Sequence, residues 1–300
     1  MKRYISFLLI CISIFWSSLL ISQEENDPYL WLEDIEGEKA LEWVKAKNKT
    51  TVEILEKHPE FQKINQKILE ILNSQERIAY PSIQGEYVYN FWQDEKNQRG
   101  LWRRTTLKEY FKASPQWETV LDLDRLSEKE NEKWAYKGAS FLYPQFDLCM
   151  INLSRGGSDA VEIREFDLKK KAFVENGFYV SEAKGAVSWI DRNTLLVSTN
   201  FGEGTTTTSG YPRLTKIWNR GTPLSEAKTL FEGAETDVGV WGQVDNKPER
   251  QYVIVYRAMT FYTSTVFVLE GDQLIKLGIP EDAQFHGFFK NHLLVELKSD

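Results

Sequence analysis

The sequence contains 300 residues, 42% of them hydrophobic and 27% charged, which is the composition of a soluble globular protein with one large or two ordinary domains. The formal net charge is −7, and the basic run Lys169–Lys171 is typical of an exposed turn between strands. This balance excludes nucleic acid as an expected partner, because nucleic-acid-binding surfaces cluster basic residues. The 10 Trp, 13 Tyr and 17 Phe favour β-structure, since large rings pack well on half-buried pleated surfaces.

Residues 1–22 differ from everything that follows them. Lys2 and Arg3 precede an almost uncharged apolar run from Tyr4 to Ile21, after which the chain becomes polar. This order predicts a signal peptide over residues 1–22 and a secreted or periplasmic protein. An uncleaved membrane anchor is the alternative, because about 17 apolar residues can just span a bilayer. The membrane is an expected partner only in that second case.

Residues 23–77 are predicted to form an extended and helical N-terminal segment. The stretch Asp27–Asp34 is expected to be extended, because its first residue precedes a proline. From Glu38 to Ser74 the apolar residues recur with helical spacing, and His58–Pro59 divides this region into two helices. The clearest helical pattern is formed by Ile64, Ile68, Ile71 and Leu72.

Residues 78–300 carry short apolar runs separated by turn residues, and no helical pattern is predicted after Ile78. One type of run, entered from a polar turn, recurs five times. Its anchors are Tyr87, Leu148, Leu195, Val253 and Leu293. Their spacing averages about 50 residues, the length of a propeller blade of four strands. The sequence therefore predicts a mainly β fold with an incomplete β-propeller of about four to five blades, and a pair of β-sandwiches is the alternative.

The fifth unit begins near Gln284 and is interrupted at Asp300. A propeller closes only when its last blade meets its first, because an open edge exposes unpaired backbone groups. We therefore expect the sequence to be the front part of a longer protein.

The stretch Asp147–Leu168 contains the serine that most resembles a catalytic nucleophile. Gly156–Ala160 is similar to the G-x-S-x-G elbow, in which a strand turns sharply into a helix and exposes the serine. Here the residues after Ser158 alternate as a strand, so a hairpin is predicted instead. His58, His286 and His292 have no recognisable partner motif for catalysis. No catalytic residue is predicted in this sequence.

Other candidate chemistry is equally weak. Cys149 lies among apolar residues and is expected to be a buried small hydrophobic residue. No metal-ligand spacing and no phosphate-binding loop occur, so neither a metal nor a cofactor is predicted. Asp122 and Asp124 are expected on one face of a strand, which alone does not indicate hydrolysis. The flexible, polar stretch Phe201–Gly210 is predicted to be a long loop between strands, and the alternative is a rim loop that contacts a substrate or a neighbouring domain.

Several weak motifs occur in a consistent order. They are Asp27–Asp34 (DPYLWLED), Trp43–Asn48 (WVKAKN), Val120–Leu126 (VLDLDRL), Leu153–Asp159 (LSRGGSD) and Ser209–Leu224 (SGYPRLTKIWNRGTPL). Together they resemble the prolyl oligopeptidase family of serine peptidases. Beyond about Phe231 only the architecture is similar.

The resemblance implies a propeller of seven blades that covers an α/β-hydrolase domain, with the N-terminal helical segment packed on that hydrolase. It also implies that the catalytic serine, aspartate and histidine follow the propeller, outside this sequence. We therefore expect the propeller portion of a secreted peptidase that gates short peptide substrates and that works with a hydrolase domain of the same protein. The alternative is a non-catalytic periplasmic module that binds a peptide or glycan.

Overall fold

The computed structural model describes residues 27–34, 36–290 and 292–298. The predicted signal peptide or anchor over residues 1–22 lies outside these residues. Within them, no helix combines the length and the apolar character needed to cross a membrane. The chain divides into two compact units, Met1–Leu72 and Asn73–Asp300.

The described part of the first unit consists of a short turn of helix and two α-helices. Helix α1 spans Glu38–Glu56 and helix α2 spans Phe61–Asn73, so the predicted division at His58–Pro59 is confirmed. The predicted extended conformation of Asp27–Asp34 is wrong, because Leu30–Leu32 form a 3₁₀ helix. The side chain of Asp27 accepts a hydrogen bond from the backbone N–H of Tyr29 at 2.8 Å, and such an Asx turn favours a bend over a strand.

The second unit consists of successive antiparallel sheets in chain order, and neighbouring strands in the sequence pair within each sheet. The first sheet contains β1 Ser82–Gln84, β2 Tyr87–Trp92, β3 Leu101–Thr106 and β4 Glu118–Asp122. The second contains β5 Trp134–Phe141, β6 Leu148–Arg155, β7 Val161–Asp167, β8 Ala172–Phe173 and β9 Tyr179–Ala183. The third contains β10 Ala186–Asp191, β11 Thr194–Ser198, β12 Leu214–Asn219 and β13 Lys228–Glu232. The fourth contains β14 Gly239–Asn246, β15 Gln251–Ala258, β16 Ser264–Glu270 and β17 Gln273–Lys276. A two-stranded sheet follows, with β18 Gln284–Phe289 and β19 His292–Glu296.

This order is that of propeller blades, each of which is a meander of about four strands. In the second blade the outermost position is shared, since β8 and β9 both pair with β7. The five sequence anchors all lie in the second strand of their blade, namely β2, β6, β11, β15 and β19. The predicted incomplete propeller of about four to five blades is therefore confirmed.

Apolar clusters join neighbouring blades. The cluster between the first and second blades includes Tyr89, Trp102, Ile151 and Phe166, and its rings pack at centroid distances of 5.2 to 6.3 Å. The cluster between the second and third blades includes Met150, Ile163, Trp189, Leu195 and Trp218. Burial of these side chains is the main stabilising contribution to the blade stack.

Two short helices lie in the first blade and in its link to the second blade, which corrects the prediction that no helix follows Ile78. Helix α3 spans Leu107–Tyr110 and helix α4 spans Leu123–Glu130. The side chains of Thr106 and Asp122 cap their first turns by accepting hydrogen bonds from backbone N–H groups. Helices of one or two turns are too short to show an apolar period in the sequence.

Candidate functional site

The loops of the blades fall into two sets because the strands alternate in direction. We call the side with the second-to-third strand loops and the links between blades the connection face, and the other side the hairpin face. On the connection face the Lys184 Nζ donates to the Ser209 carbonyl at 3.5 Å, which joins a link between blades to a loop. On the hairpin face the Arg192 guanidinium donates to the Asp147 carboxylate at 2.8 Å, which joins the loops of two blades.

The stretch Phe201–Gly210 is the longest loop on the connection face, and it is folded on itself. The Thr205 hydroxyl accepts from the Phe201 N–H at 2.9 Å and donates to the Gly202 carbonyl at 2.6 Å. The N–H of Thr208 donates to the Glu235 carbonyl at 2.9 Å. These bonds hold the loop against the link to the fourth blade, so it presents a defined polar edge.

Aromatic side chains lie beside this loop. Tyr211 and Trp241 meet edge to face at a centroid distance of 5.9 Å, and the Lys184 ammonium lies 4.2 Å from the Tyr211 ring. On the loop of the fourth blade, Phe261 and Tyr262 are 86% and 78% exposed. The connection face therefore combines apolar rings with polar loop edges, which is the composition of a protein-contacting surface.

Ser158 lies in the turn between β6 and β7, so the predicted hairpin is confirmed. Gly156 and Gly157 have φ values of +64° and +88°, which a tight turn requires and glycine adopts without strain. The Ser158 hydroxyl interacts with the Ser154 hydroxyl at 3.3 Å and the Ala160 carbonyl at 3.3 Å. No histidine is among its hydrogen-bond partners in the described structure, so nothing there would activate this hydroxyl.

The cysteine predicted to be buried is completely enclosed between the first two blades. Cys149 has 0% exposure, and burial raises the pKa of its thiol well above the usual value. A reactive cysteine needs the opposite, a lowered pKa and access from solvent. Cys149 is therefore a packing residue.

The acidic pair in the first blade does not share a strand face, which corrects that prediction. Asp122 ends β4 and caps helix α4, while Asp124 lies in the helix and accepts from the N–H of Arg99 at 3.1 Å. The described histidines are also separate. His58 accepts from the Glu60 N–H, and His286 lies 3.0 Å from the Glu296 carboxylate. The described residues contain no group of three or more His, Cys, Asp or Glu side chains that could hold a metal.

A partly buried cluster of ion pairs lies on the second blade, and the sequence pattern did not reveal it. Glu162, only 3% exposed, accepts hydrogen bonds from both Arg155 and Arg164. Burial opposes the charge of Arg155, but its bonds to Glu162, Glu182 and Glu132 raise the pKa of that guanidinium. The Trp134 ring lies under both arginines, at 4.5 and 5.0 Å. Such fully bonded charges fix geometry and are poor candidates for chemistry.

The hairpin face holds a cavity of about 640 Å³ between three blades. Its walls are the first hairpin loops of the second, third and fourth blades, including Tyr143, Gln145, Arg192 and Arg250. The arginines are paired with Asp147 and Glu270, so the cavity is polar without an excess of one charge. It is large enough for a few amino-acid residues and has no group positioned for covalent chemistry.

The fold is a β-propeller with contact faces and a polar cavity. The described residues contain no arrangement of side chains suited to catalysis. The sequence model of the prolyl oligopeptidase N-terminal β-propeller domain matches residues 19–287. The chain therefore belongs to the prolyl oligopeptidase family, as its N-terminal propeller part, and the resemblance stated from the sequence motifs is confirmed.

Relatives and solved structures agree with this assignment. The uncharacterized peptidase y4nA of Sinorhizobium fredii is 40% identical over 290 residues, covering 93% of this chain and 39% of that protein. The prolyl endopeptidase of Elizabethkingia miricola is 31% identical over 166 residues, covering 55% of this chain and 22% of that protein. A post-proline cleaving enzyme from Rickettsia typhi has 34% identity and a TM-score of 0.84, covering 90% of this chain and 41% of the other. The chain thus spans about two fifths of the length of the Sinorhizobium and Rickettsia typhi proteins.

Proposed function

We propose that this chain is the substrate-gating propeller of a prolyl-oligopeptidase-like serine peptidase that hydrolyses short peptides. The observation that carries the proposal is the match over 90% of the chain to a post-proline cleaving enzyme, at 34% identity. The reaction would be acyl transfer from an activated serine in a hydrolase domain of the same protein. In this proposal the described residues supply access control, and the hydrolase domain supplies chemistry.

We expect cleavage after proline rather than after basic residues. Relatives of at least 30% identity whose names give a specificity include a post-proline cleaving enzyme and a prolyl endopeptidase. The oligopeptidase B structures share the fold at 16% identity, which carries no argument about specificity. The competing specificity is tested by comparing fluorogenic peptides that end in Gly-Pro and in Arg-Arg.

The gating role follows from how a propeller restricts access. Blades packed around an axis leave a narrow central passage, and such a passage admits an extended peptide while excluding a folded chain. The polar cavity on the hairpin face would then lie at the mouth through which peptides pass. The Phe201–Gly210 loop would border the other end, on the connection face, beside the hydrolase.

The helical segment supports a hydrolase partner. In α2 the side chains of Ile64, Ile68, Ile71 and Leu72 are 51% to 54% exposed, and together they form an apolar stripe. An exposed stripe of this kind is costly in water and marks a protein contact. We propose that the hydrolase domain covers this stripe, which would explain why one exposed side of the helix carries four large apolar residues.

Secretion remains part of the proposal, supported by the charged start and apolar run of residues 1–22. Cell fractionation of the native host tests it. A periplasmic or extracellular product that begins after Ser22 would support a cleaved signal. A product that retains residues 1–22 in the membrane fraction would support the anchor instead.

The deciding experiment measures hydrolysis by the full-length protein. Peptides carry one internal Pro, with flanks that lengthen the substrate from about 6 to about 60 residues. The proposal predicts rapid cleavage of the short peptides, sharply slower cleavage of the long ones, and little cleavage of the Arg-Arg substrate. A folded protein that hydrolyses none of them would contradict the peptidase assignment. Cleavage independent of length would contradict gating while leaving the peptidase assignment intact.

A further inference from the structure

Arginine and tryptophan side chains alternate on one flank of the first blade. The Arg77 guanidinium lies 4.5 Å from the centre of the Trp92 ring, and that of Arg103 lies 4.3 Å from it. Arg103 also lies 4.5 Å from the centre of the Trp117 ring. We call Arg77, Trp92, Arg103 and Trp117 the arginine–tryptophan ladder. Such stacking favours a fixed position for each positive charge.

The two arginines of the ladder lack the ion pairs that other arginines of the propeller have. Arg77 donates to the backbone carbonyls of Ser74 and Gln93, and Arg103 donates to the Asn90 side chain at 2.9 Å. Within the described residues, neither guanidinium has a carboxylate within 4.0 Å, whereas arginines such as Arg104 and Arg257 do. The ladder therefore carries two positive charges that no carboxylate of the described residues contacts directly.

Burial makes this charge costly. Burial, reinforced by the positive charge of Arg77, lowers the pKa of Arg103 from its usual value to about 10, and the negative charge of Asp94 opposes the shift only in part. Asp94 itself is occupied by hydrogen bonds from the Trp92 indole and from Asn97. An additional carboxylate beside Arg103 would relieve the unfavourable burial, because an opposite charge stabilises the charged form.

The flank that carries the ladder differs from the contacts between the described blades. In the register of β2 and β3, Asn90 faces Arg103, whereas Tyr89 and Trp102 project from the opposite side into the apolar cluster with the second blade. Beside the ladder lies an open cavity of about 610 Å³, and every residue that lines it comes from residues 75–117. None of the other described sheets reaches it.

We propose that a carboxylate-bearing segment of the blade that closes the propeller ring docks on the arginine–tryptophan ladder. A ring of blades places its last sheet against the free flank of its first. The relatives extend well beyond the matched region, since the chain covers only 39% and 41% of two of them. Charge complementarity then selects an acidic side chain, so we expect an ionic contact at this position of the closing blade. The inference rests on the proposed function, because it requires the complete propeller.

Zero-length cross-linking of the full-length protein tests this contact. Arg103→Lys keeps the charge and adds an amine that a carbodiimide couples only to a carboxylate in direct contact. Mass spectrometry should find Lys at this position joined to an Asp or Glu that lies beyond residue 300. The yield should fall when NaCl rises from about 0.1 M to about 1 M, because the Debye length shrinks from about 10 Å to about 3 Å.

Matched variants keep the test decisive. Arg77→Lys is the second probe, used if Arg103→Lys lowers the yield of folded protein. Arg125→Lys is the control, since the Arg125 side chain is 87% exposed and its partner Asp122 is local. The control should couple to Asp122 alone. Coupling of both ladder variants only to residues before 300, or no coupling in folded protein, would overturn the proposal.

The outcome is separable from that of the proposed function. Hydrolysis of the Gly-Pro peptide is measured on the same samples before cross-linking. A protein that couples as expected but hydrolyses nothing would support the ionic contact and contradict the peptidase assignment. An active protein whose ladder variants do not couple would support the peptidase assignment and contradict the ionic contact.

Discussion

Arg220 and Glu165 join the third and second blades through a two-point ion pair. The Arg220 Nη1 donates to Glu165 Oε2 at 2.8 Å, and its Nη2 donates to Oε1 at 2.9 Å. The carboxylate is almost completely buried, with 1% of the Glu165 side chain exposed, and it also accepts from the Phe178 N–H at 2.7 Å. The blade boundary therefore depends on this charge being matched.

Removing the cation should destabilise the propeller strongly. Arg220→Ala leaves a buried carboxylate without its partner, and we expect a loss of about 3 kcal/mol in the free energy of unfolding. Arg250→Ala is the control, because the Arg250 and Glu270 side chains are 44% and 51% exposed, and it should cost less than about 1 kcal/mol. Urea unfolding followed by tryptophan fluorescence measures both. Equal losses of unfolding free energy in the two variants would show that the buried ion pair stabilises the protein no more than the exposed one.

The contact between the third and fourth blades leaves no room at Gly242. An added Cβ would lie 2.5 Å from Leu196 Cδ2 and 2.6 Å from Thr215 Cγ2. We expect Gly242→Ala to destabilise the protein by about 1 to 3 kcal/mol, because overpacking displaces both neighbours. Gly278→Ala should be neutral or slightly stabilising, since nothing lies within 4 Å of the added atom. A thermal unfolding comparison checks this, and a harmless Gly242→Ala would contradict the close packing.

The pH dependence of the unfolding free energy should reveal the ionisation of Asp94, which lies in a loop of the first blade. Burial works against the charge of Asp94, but hydrogen bonds from Asn97, Trp92 and Lys96 lower its pKa from 3.8 to about 2. A lowered pKa stabilises the folded state above pH 3.8, and this contribution is lost as the pH falls toward 2. Wild type should therefore be more stable than Asp94→Asn above about pH 4, and the difference should shrink below it. A difference that is constant with pH would contradict the assignment.

Cys149 should be inert in the folded protein. Burial raises the pKa of its thiol, and no part of the residue is exposed. Iodoacetamide at about pH 8 should leave the Cys149 peptide unmodified until the protein is unfolded, because the reagent reacts with the thiolate. Mass spectrometry of native and urea-treated samples measures this. Rapid modification of the native protein would show that the first two blades separate.

The sequence predicted the second strands of the blades better than the first or the outermost ones. Strands such as β6 and β11 are buried on both sides, so they read as continuous apolar runs. The first strand of the fourth blade, β14, carries Gly242 where the third blade approaches closely, and this glycine interrupts the apolar pattern. The outermost strands are short and partly exposed, as in β8 (Ala172–Phe173), and leave almost no signal.

The candidate surfaces were harder to predict than the fold. The hairpin at Ser158 was predicted from local alternation, since two strands and a glycine turn are encoded by neighbouring residues. The arginine–tryptophan ladder gave no comparable signal, because Arg77, Trp92, Arg103 and Trp117 are distant in sequence and meet only through strand pairing. Sequence patterns record periodicity along one element, whereas such sites depend on the register between elements.

The most direct test of the proposed peptidase function is to ask whether any serine of the full-length protein reacts as a nucleophile, and which one. A fluorophosphonate reacts with an activated serine hydroxyl, and mass spectrometry of the labelled protein identifies the residue. We expect a label outside residues 27–298 and full labelling of the Ser158→Ala variant, because Ser158 lies in a propeller hairpin with only local hydrogen bonds. A label on Ser158, or a folded full-length protein that takes up no label, would contradict it.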